Sequence, residues 1–315
     1  MHAYILRRLV HAVVTLVIVS VVTFLLVGLA PGGFVTESAA GMSQEDLARI
    51  RANLGLDRPL YIQYAQWAAG LLRGDMGRSL VDGQPVRGLI AERLPNTMLL
   101  STVALVAATV VGVLLGVVCA VRAYSWLDNL VSATTFIGLA VPIFWLDALL
   151  ILLFSVELGW LPSSGLASLG KEDDILDRLA HLALPAFVLA TSSAPQLVRF
   201  TRSSLLETLG QEYVRTARAK GLFEWAVLSR HVLRNSLIPV ITIIGLQLPR
   251  LVGGTAIAET VFGWPGIGRL AVTAAFRRDF PVILGITIVV SIAVLITNLI
   301  VDLLYAAVNP RVSLE

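Results

Sequence analysis

The sequence predicts an all-α integral membrane protein with six spanning helices and an extracytoplasmic lobe after the first. Three observations carry this. Hydrophobic residues make up 57% of the chain and charged residues 14%, where soluble domains hold roughly 45–50% and about 25%, so there are too few charges to cover a water-facing surface. The excess lies in six long apolar runs, each of the length a bilayer demands. Arginines gather beside alternate ends of those runs, as orientation by positive charge requires.

The runs fall at about 9–30, 98–121, 130–156, 180–200, 236–258 and 282–306. The first follows Arg7 and Arg8, as a signal peptide would, but it is long enough to span at about 20 residues, whereas a signal core has about 7–15. It is therefore read as a retained helix. His181, Pro185 and Pro195 interrupt the fourth run. Between the first two, residues 31–97 form the lobe: Gln44 to Arg51 reads as a short helix capped by Ser43 with Asp46 near its start, followed by turn signals at Gly55, Pro59, Gly74, Gly77 and Gly83. The chain thus divides into an N-terminal helix (1–30), the lobe (31–97), a five-helix core (98–306) and a short tail (307–315).

With the N-terminus in the cytoplasm, the inner segments hold Arg7, Arg8, Arg122, the series from Arg199 and Arg202 to Arg230 and Arg234, and Arg311. The short outer segments hold only Lys171, Arg178, Arg269, Arg277 and Arg278. The lobe carries seven further arginines, but long loops cross largely regardless of charge. Both termini are expected inside.

Several functions are excluded. The net charge is +3 and the only lysines are Lys171 and Lys220, so there is no polybasic tract for nucleic acid. A single cysteine, Cys119, permits neither an internal disulfide nor a cysteine-rich metal site. Gly165 to Glu172 nearly matches a phosphate-binding loop, but it ends in Glu where a magnesium-binding hydroxyl is needed, and no strand precedes it. His2, His11, His181 and His231 lie far apart, and no nucleophile elbow is present. No catalytic, cofactor or metal site is expected on this chain. Gly112 and Gly116 form a small-residue pair explained by close helix packing.

Two features remain. Asp147 and Arg250 fall inside spans three and five, where a charge costs roughly 2.5–3.5 kcal/mol. They are a candidate intramembrane pair or a lining of the solute path. The 201–235 loop is basic, rich in helix formers and free of proline. Ala217 and Gly221 are four apart and share a face that admits a close neighbour, while Arg215 and Arg218 project elsewhere toward acidic partners or lipid headgroups. Alone, such a loop also fits a basic helix lying on the anionic inner leaflet.

The run Glu212–Leu222, with Arg230-His231 and Arg234-Asn235 before Pro239, resembles the cytoplasmic signature loop of ABC-importer permeases, most closely the peptide and nickel family. The resemblance continues in order through Leu54–Leu60, Gly74–Ser79, Pro85-Val86, Arg93–Thr97, Gly159–Pro162, Glu259–Phe262 with Pro265-Gly266, Arg278–Pro281, Asn298-Leu299 and Val301–Tyr305. Three places depart from it: Arg215 stands where the general signature has glutamate, Pro31-Gly32-Gly33 replaces Pro-Gly-Asp, and Asp147 and Arg250 replace small or apolar residues.

The resemblance implies a type I importer permease fold in a bacterial inner membrane. It implies pairing with a second homologous permease, two ATP-binding subunits that hold ATP and magnesium, and an extracytoplasmic solute-binding protein. The coupling segment would comprise Glu212, Arg215, Ala217, Gly221 and Leu222. The solutes of such relatives include dipeptides, longer peptides, glutathione-like compounds and nickel chelates. A proton-coupled secondary transporter using Asp147 and Arg250 is the rival from another class, although no inverted repeat is visible. An intramembrane enzyme lacks a catalytic set.

The topology is testable by thiol labelling in a chain with Cys119 replaced. Ser43→Cys and Ser79→Cys are expected to react with an impermeant reagent from outside the cell and Thr216→Cys is not; labelling of Thr216→Cys alone would invert the orientation.

Overall fold

The structure, a computed structural model, describes residues 2–29, 57–249 and 255–308. The expected helix over Gln44–Arg51 and residue Arg250 lie outside the described residues. Among these residues the only extended pairing is an isolated bridge between Arg78 and Pro85. The helices are α1 (His2–Gly28), α2 (Leu60–Leu72), α3 (Val86–Val121), α4 (Trp126–Ala140), α5 (Ile143–Leu150), α6 (Ile175–Leu209), α7 (Glu212–Ala219), α8 (Arg234–Gln247), α9 (Ala256–Val261), α10 (Ile267–Phe276) and α11 (Phe280–Val308). π-helical turns at Ile151–Glu157 and Val227–Leu233 continue α5 and precede α8.

α1, α3, α6 and α11 are each long and apolar enough to cross a membrane, and two bent pairs bring the number of spans to as many as six if each pair is one span. The bends correct the sequence reading. The third span is not one straight helix over 130–156: α4 stops at Ala140, and α5 with its π turn departs at 103°. Val141 is extended (φ −77, ψ 126) because the ring of Pro142 disfavours a helical residue before it. Pro142 then starts α5, where its missing N–H costs nothing. The fifth span begins earlier than 236, at Glu224, and bends by 44° before Gln247.

The fourth span shows the opposite error. Pro185 and Pro195 do not interrupt it; α6 runs for 35 residues through both. Each proline removes one helical N–H, and neighbouring packing holds the remainder. Asp174 caps its start, accepting from the Leu176 N–H at 2.9 Å. The second span likewise begins at Val86 rather than 98 and passes through Pro95.

The chain folds as two compact units. One comprises Met1–Thr97, Pro265–Ile296 and Leu314–Glu315, and the other Met98–Trp264 and Thr297–Ser313. In the first unit, Phe24 and Val27 of α1 pack on Phe280 and Leu284, with Tyr64 and Trp67 of α2 beside them. Val86, Leu89 and Ile90 pack on Ile267, Ala274, Val282 and Ile286.

Polar contacts in this unit join segments distant in sequence. The Ser79 hydroxyl donates to the Asp279 carboxylate, which also accepts from the Leu80 N–H at 3.1 Å. Asn96 donates to the Pro265 carbonyl at 2.9 Å, and the Thr97 hydroxyl oxygen accepts from the Ile267 N–H at 2.8 Å. Ser79 is therefore buried and a poor target for a thiol reagent. Exposed Gln84, in the same turn, is the better labelling position.

In the second unit α3 and α6 approach closely. A Cβ on Gly112 would lie 2.6 Å from the Leu197 Cβ, and one on Gly116 would lie 2.6 Å from the Thr201 Cβ and 2.8 Å from the Val198 carbonyl. The glycine pair read from the sequence is thus a helix-packing contact. Gly116→Val should lower stability in detergent by about 1–3 kcal/mol, the usual cost of overpacking, seen as a drop in melting temperature. Gly138→Ala, which would meet nothing within 4 Å, should leave melting unchanged; equal behaviour of the two variants would contradict the packing assignment.

Candidate functional site

The 201–235 segment is built around α7. Gln211 is extended and Glu212 opens the helix. Val214 and Ala217 turn inward and share a core with Ala120 of α3, Leu205 of α6, and Val227 and Val232 of the following π turn. Gly221 closes α7 in the left-handed region (φ +75), donating its N–H to the Arg218 carbonyl at 2.9 Å while the Leu222 N–H reaches back toward Ala217 at 3.4 Å. A glycine that ends a helix this way carries no Cβ penalty.

This corrects the expected small-residue docking face. Ala217 is buried in the chain's own core, and Gly221 acts as a helix stop, so the two do not form an outward surface. Nor are the arginines unpaired. Arg215 meets Glu212 at 2.9 Å, and the fork of Arg218 grips both oxygens of Glu224 at 3.1 and 2.5 Å. The outward surface is instead formed by these charged pairs and an apolar edge of Leu222, Phe223 and Trp225, exposed by 43%, 86% and 75%. Asn235 donates to the Tyr213 hydroxyl at 3.1 Å, so both halves of the signature segment touch.

Asp147 lies in α5, wholly buried. Neither carboxylate oxygen has a hydrogen-bond partner among the described residues. Its helix packs into an apolar cluster that includes Leu150, Leu182, Ala258 and Trp264. An apolar cleft of about 320 Å³ opens between α3 and α6, walled by Val103, Ala107, Val111, Phe187 and their neighbours, and Asp147 is not among its walls. The Glu172 carboxyl, which closes the near-miss phosphate loop, accepts from the Gly170 N–H. Its own N–H and that of Gly170 hold it below the ordinary carboxylate value.

Sequence reading missed one constellation. Asp128 in the first turn of α4, 2% exposed, accepts from Nε and Nη2 of Arg202 on α6 at 2.8 and 2.7 Å and from the Tyr124 N–H at 2.9 Å. The guanidinium lies over the Tyr124 ring, 5.7 Å from its centroid. The available signal was Ser125 three residues before Asp128, a helix-start pattern. Nothing in the sequence paired it with Arg202.

Residues 112–314 match the family described as the inner membrane component of binding-protein-dependent transport systems, and residues 1–101 match the family described as the N-terminal part of such membrane components. The oligopeptide transport system permease protein AppB of Bacillus subtilis is 45% identical, with 99% of each chain covered. The dipeptide transport system permease protein DppB of Escherichia coli is 39% identical, with 98% of each covered. Among solved structures, an inward-facing form of the MetNI methionine ABC transporter aligns with a TM-score of 0.58 at 21% identity, over 71% of this chain and 97% of that one. An amino acid ABC transporter aligns at 0.55 and 14%, over 70% and 94%. The structural likenesses establish the fold, that of the membrane subunit of an ABC importer. The full-length matches go further: this chain belongs to the family of inner-membrane components of binding-protein-dependent transport systems, multi-pass transport subunits that are not themselves enzymes.

Proposed function

We propose that this chain is one of two membrane-spanning subunits of an ATP-driven importer for peptides or similar small solutes. The observation that carries this is the 45% identity to an oligopeptide permease along essentially the whole of both chains. Its partners would be a second homologous permease, two ATP-binding subunits and an extracytoplasmic binding protein, with both termini in the cytoplasm and the 31–97 segment outside. ATP and magnesium would sit on the ATP-binding subunits. Uptake of a radiolabelled dipeptide and pentapeptide into vesicles with ATP inside and no ion gradient tests the reading. Uptake driven by a proton gradient without ATP would instead select a secondary transporter.

Within this function the α7 segment, with Glu212, Arg215, Ala217, Gly221 and Leu222, is the coupling element. Its inward residues fix it to α3 and α6, and its exposed edge at Leu222, Phe223 and Trp225 meets the ATP-binding subunit. Trp225→Ala should weaken that association by about 2 kcal/mol, the loss typical of an aromatic anchor, read as release of the ATP-binding subunit during purification. Gly221→Trp forces a bulky residue into a left-handed conformation at a cost of about 1–3 kcal/mol, and should leave insertion intact while separating hydrolysis from transport. Normal transport by Gly221→Trp in a fully assembled complex would remove the coupling assignment.

Asp147 and Arg250 are proposed to line the solute path or to pair with each other in at least one state of the transport cycle. Asp147 has no hydrogen bond among the described residues, and an unpaired buried carboxylate is costly; Asp147→Asn should therefore melt at the same temperature or higher, whereas a drop in melting temperature would point to pairing with Arg250. Transport should nonetheless fall. A variant that transports normally would assign Asp147 no part in the cycle.

A further inference from the structure

We infer that the Asp128–Arg202 pair is a positioning clamp that carries the movement of α7 to α4 and the broken third span; the inference rests on the coupling role proposed for α7. Three observations support it. First, α7 sits on α3 and α6 together, since Val214 and Ala217 share one core with Ala120 and Leu205. Arg202 lies one helical turn before Leu205 on α6, at the edge of that core.

Second, the pair is over-determined for a mere surface ion pair. Asp128 is 2% exposed and is held through both oxygens by a bidentate fork, a geometry that fixes direction as well as distance. The same carboxylate fixes the Tyr124 N–H, which keeps Tyr124 at φ +63. A non-glycine residue in this region is strained by roughly 1–2 kcal/mol, and it persists here because the Asp128 carboxylate and the Arg202 guanidinium hold it from both sides. Ser125 caps the same helix start, accepting from the Asp128 N–H at 3.3 Å. The close packing of α3 on α6 fixes their spacing, and this clamp ties the α3–α4 turn to α6 in a set direction.

Third, α4 is a clean lever. Its 15 residues contain no proline or π turn and correspond to roughly 22 Å of rigid helix. It ends at the 103° break before α5, which bears Asp147. Movement delivered at Asp128 therefore reaches that break without an intervening hinge.

The test uses the assembled complex in vesicles, with the radiolabelled pentapeptide as probe. The readouts are peptide moved per ATP hydrolysed and the ATP-induced distance change between spin labels at Thr216 and Gly138. Coupling between sites is typically worth about 5–150-fold, so Asp128→Asn and Arg202→Lys should lower the ratio by about tenfold while hydrolysis continues, and the distance change should become broad. Because removing one buried partner can disturb folding, the double variant Asp128→Asn with Arg202→Gln supplies a milder background. It should recover assembly but not the ratio. Recovery of the parent ratio in the double variant, or an unchanged ratio in the single variants, would overturn the clamp. A parent complex that hydrolyses ATP without moving the pentapeptide would overturn the solute class, while the distance change still decides the clamp. Failure of ATP-binding subunits to co-purify with the parent would overturn the coupling role itself.

Discussion

The second unit depends on the close approach of α3 to α6. In a bilayer, apolar side chains gain nothing from meeting one another instead of lipid, so helix association relies on tight van der Waals contact. Gly112 and Gly116 provide it by leaving no Cβ between α3 and the Leu197–Thr201 turn of α6. That contact sets the spacing at which Ala120 and Leu205 can share a core with α7, and at which Arg202 can reach Asp128. A methyl group at either glycine would push against a helix backbone, and the displacement would pass to every element that uses the two helices as a floor.

Several of the short motifs that carry the family resemblance are contact partners. Gly74–Ser79 meets Arg278–Pro281 through Ser79 and Asp279. Arg93–Thr97 meets the Pro265 turn through Asn96 and Thr97, and Tyr213 meets Asn235. Each motif places a side-chain donor or acceptor against a backbone group or a second motif. A buried polar group without such a partner costs free energy, which gives a physical reason for these residue types to occur together.

Two buried aspartates show how context decides the meaning of a charge. Asp128 is fully satisfied by a guanidinium and a backbone N–H, so its charge organises the α3–α4 turn. Asp147 lies in a helix that packs into an apolar cluster, with neither oxygen bonded among the described residues, so no described group offsets the cost of burying its carboxyl. The first is a fixed point of the fold. The second has no hydrogen-bond partner among the described residues.

Composition and run length determined the fold class and the membrane location, because a bilayer imposes length and polarity on every crossing segment whatever it packs against. The order of short motifs pointed to the family, and the position of the signature singled out the segment proposed for coupling. Proline was misread twice for the same reason. Its local effect is the same at Pro142 and Pro185, yet the chain breaks at the first and runs on through the second, and only packing against neighbouring helices decides which. The inward turn of Ala217, the pairing of Arg215 and Arg218 within the chain, and the Asp128–Arg202 clamp were likewise settled by tertiary structure: spacing along a helix gives which residues share a face, but not which way that face is turned.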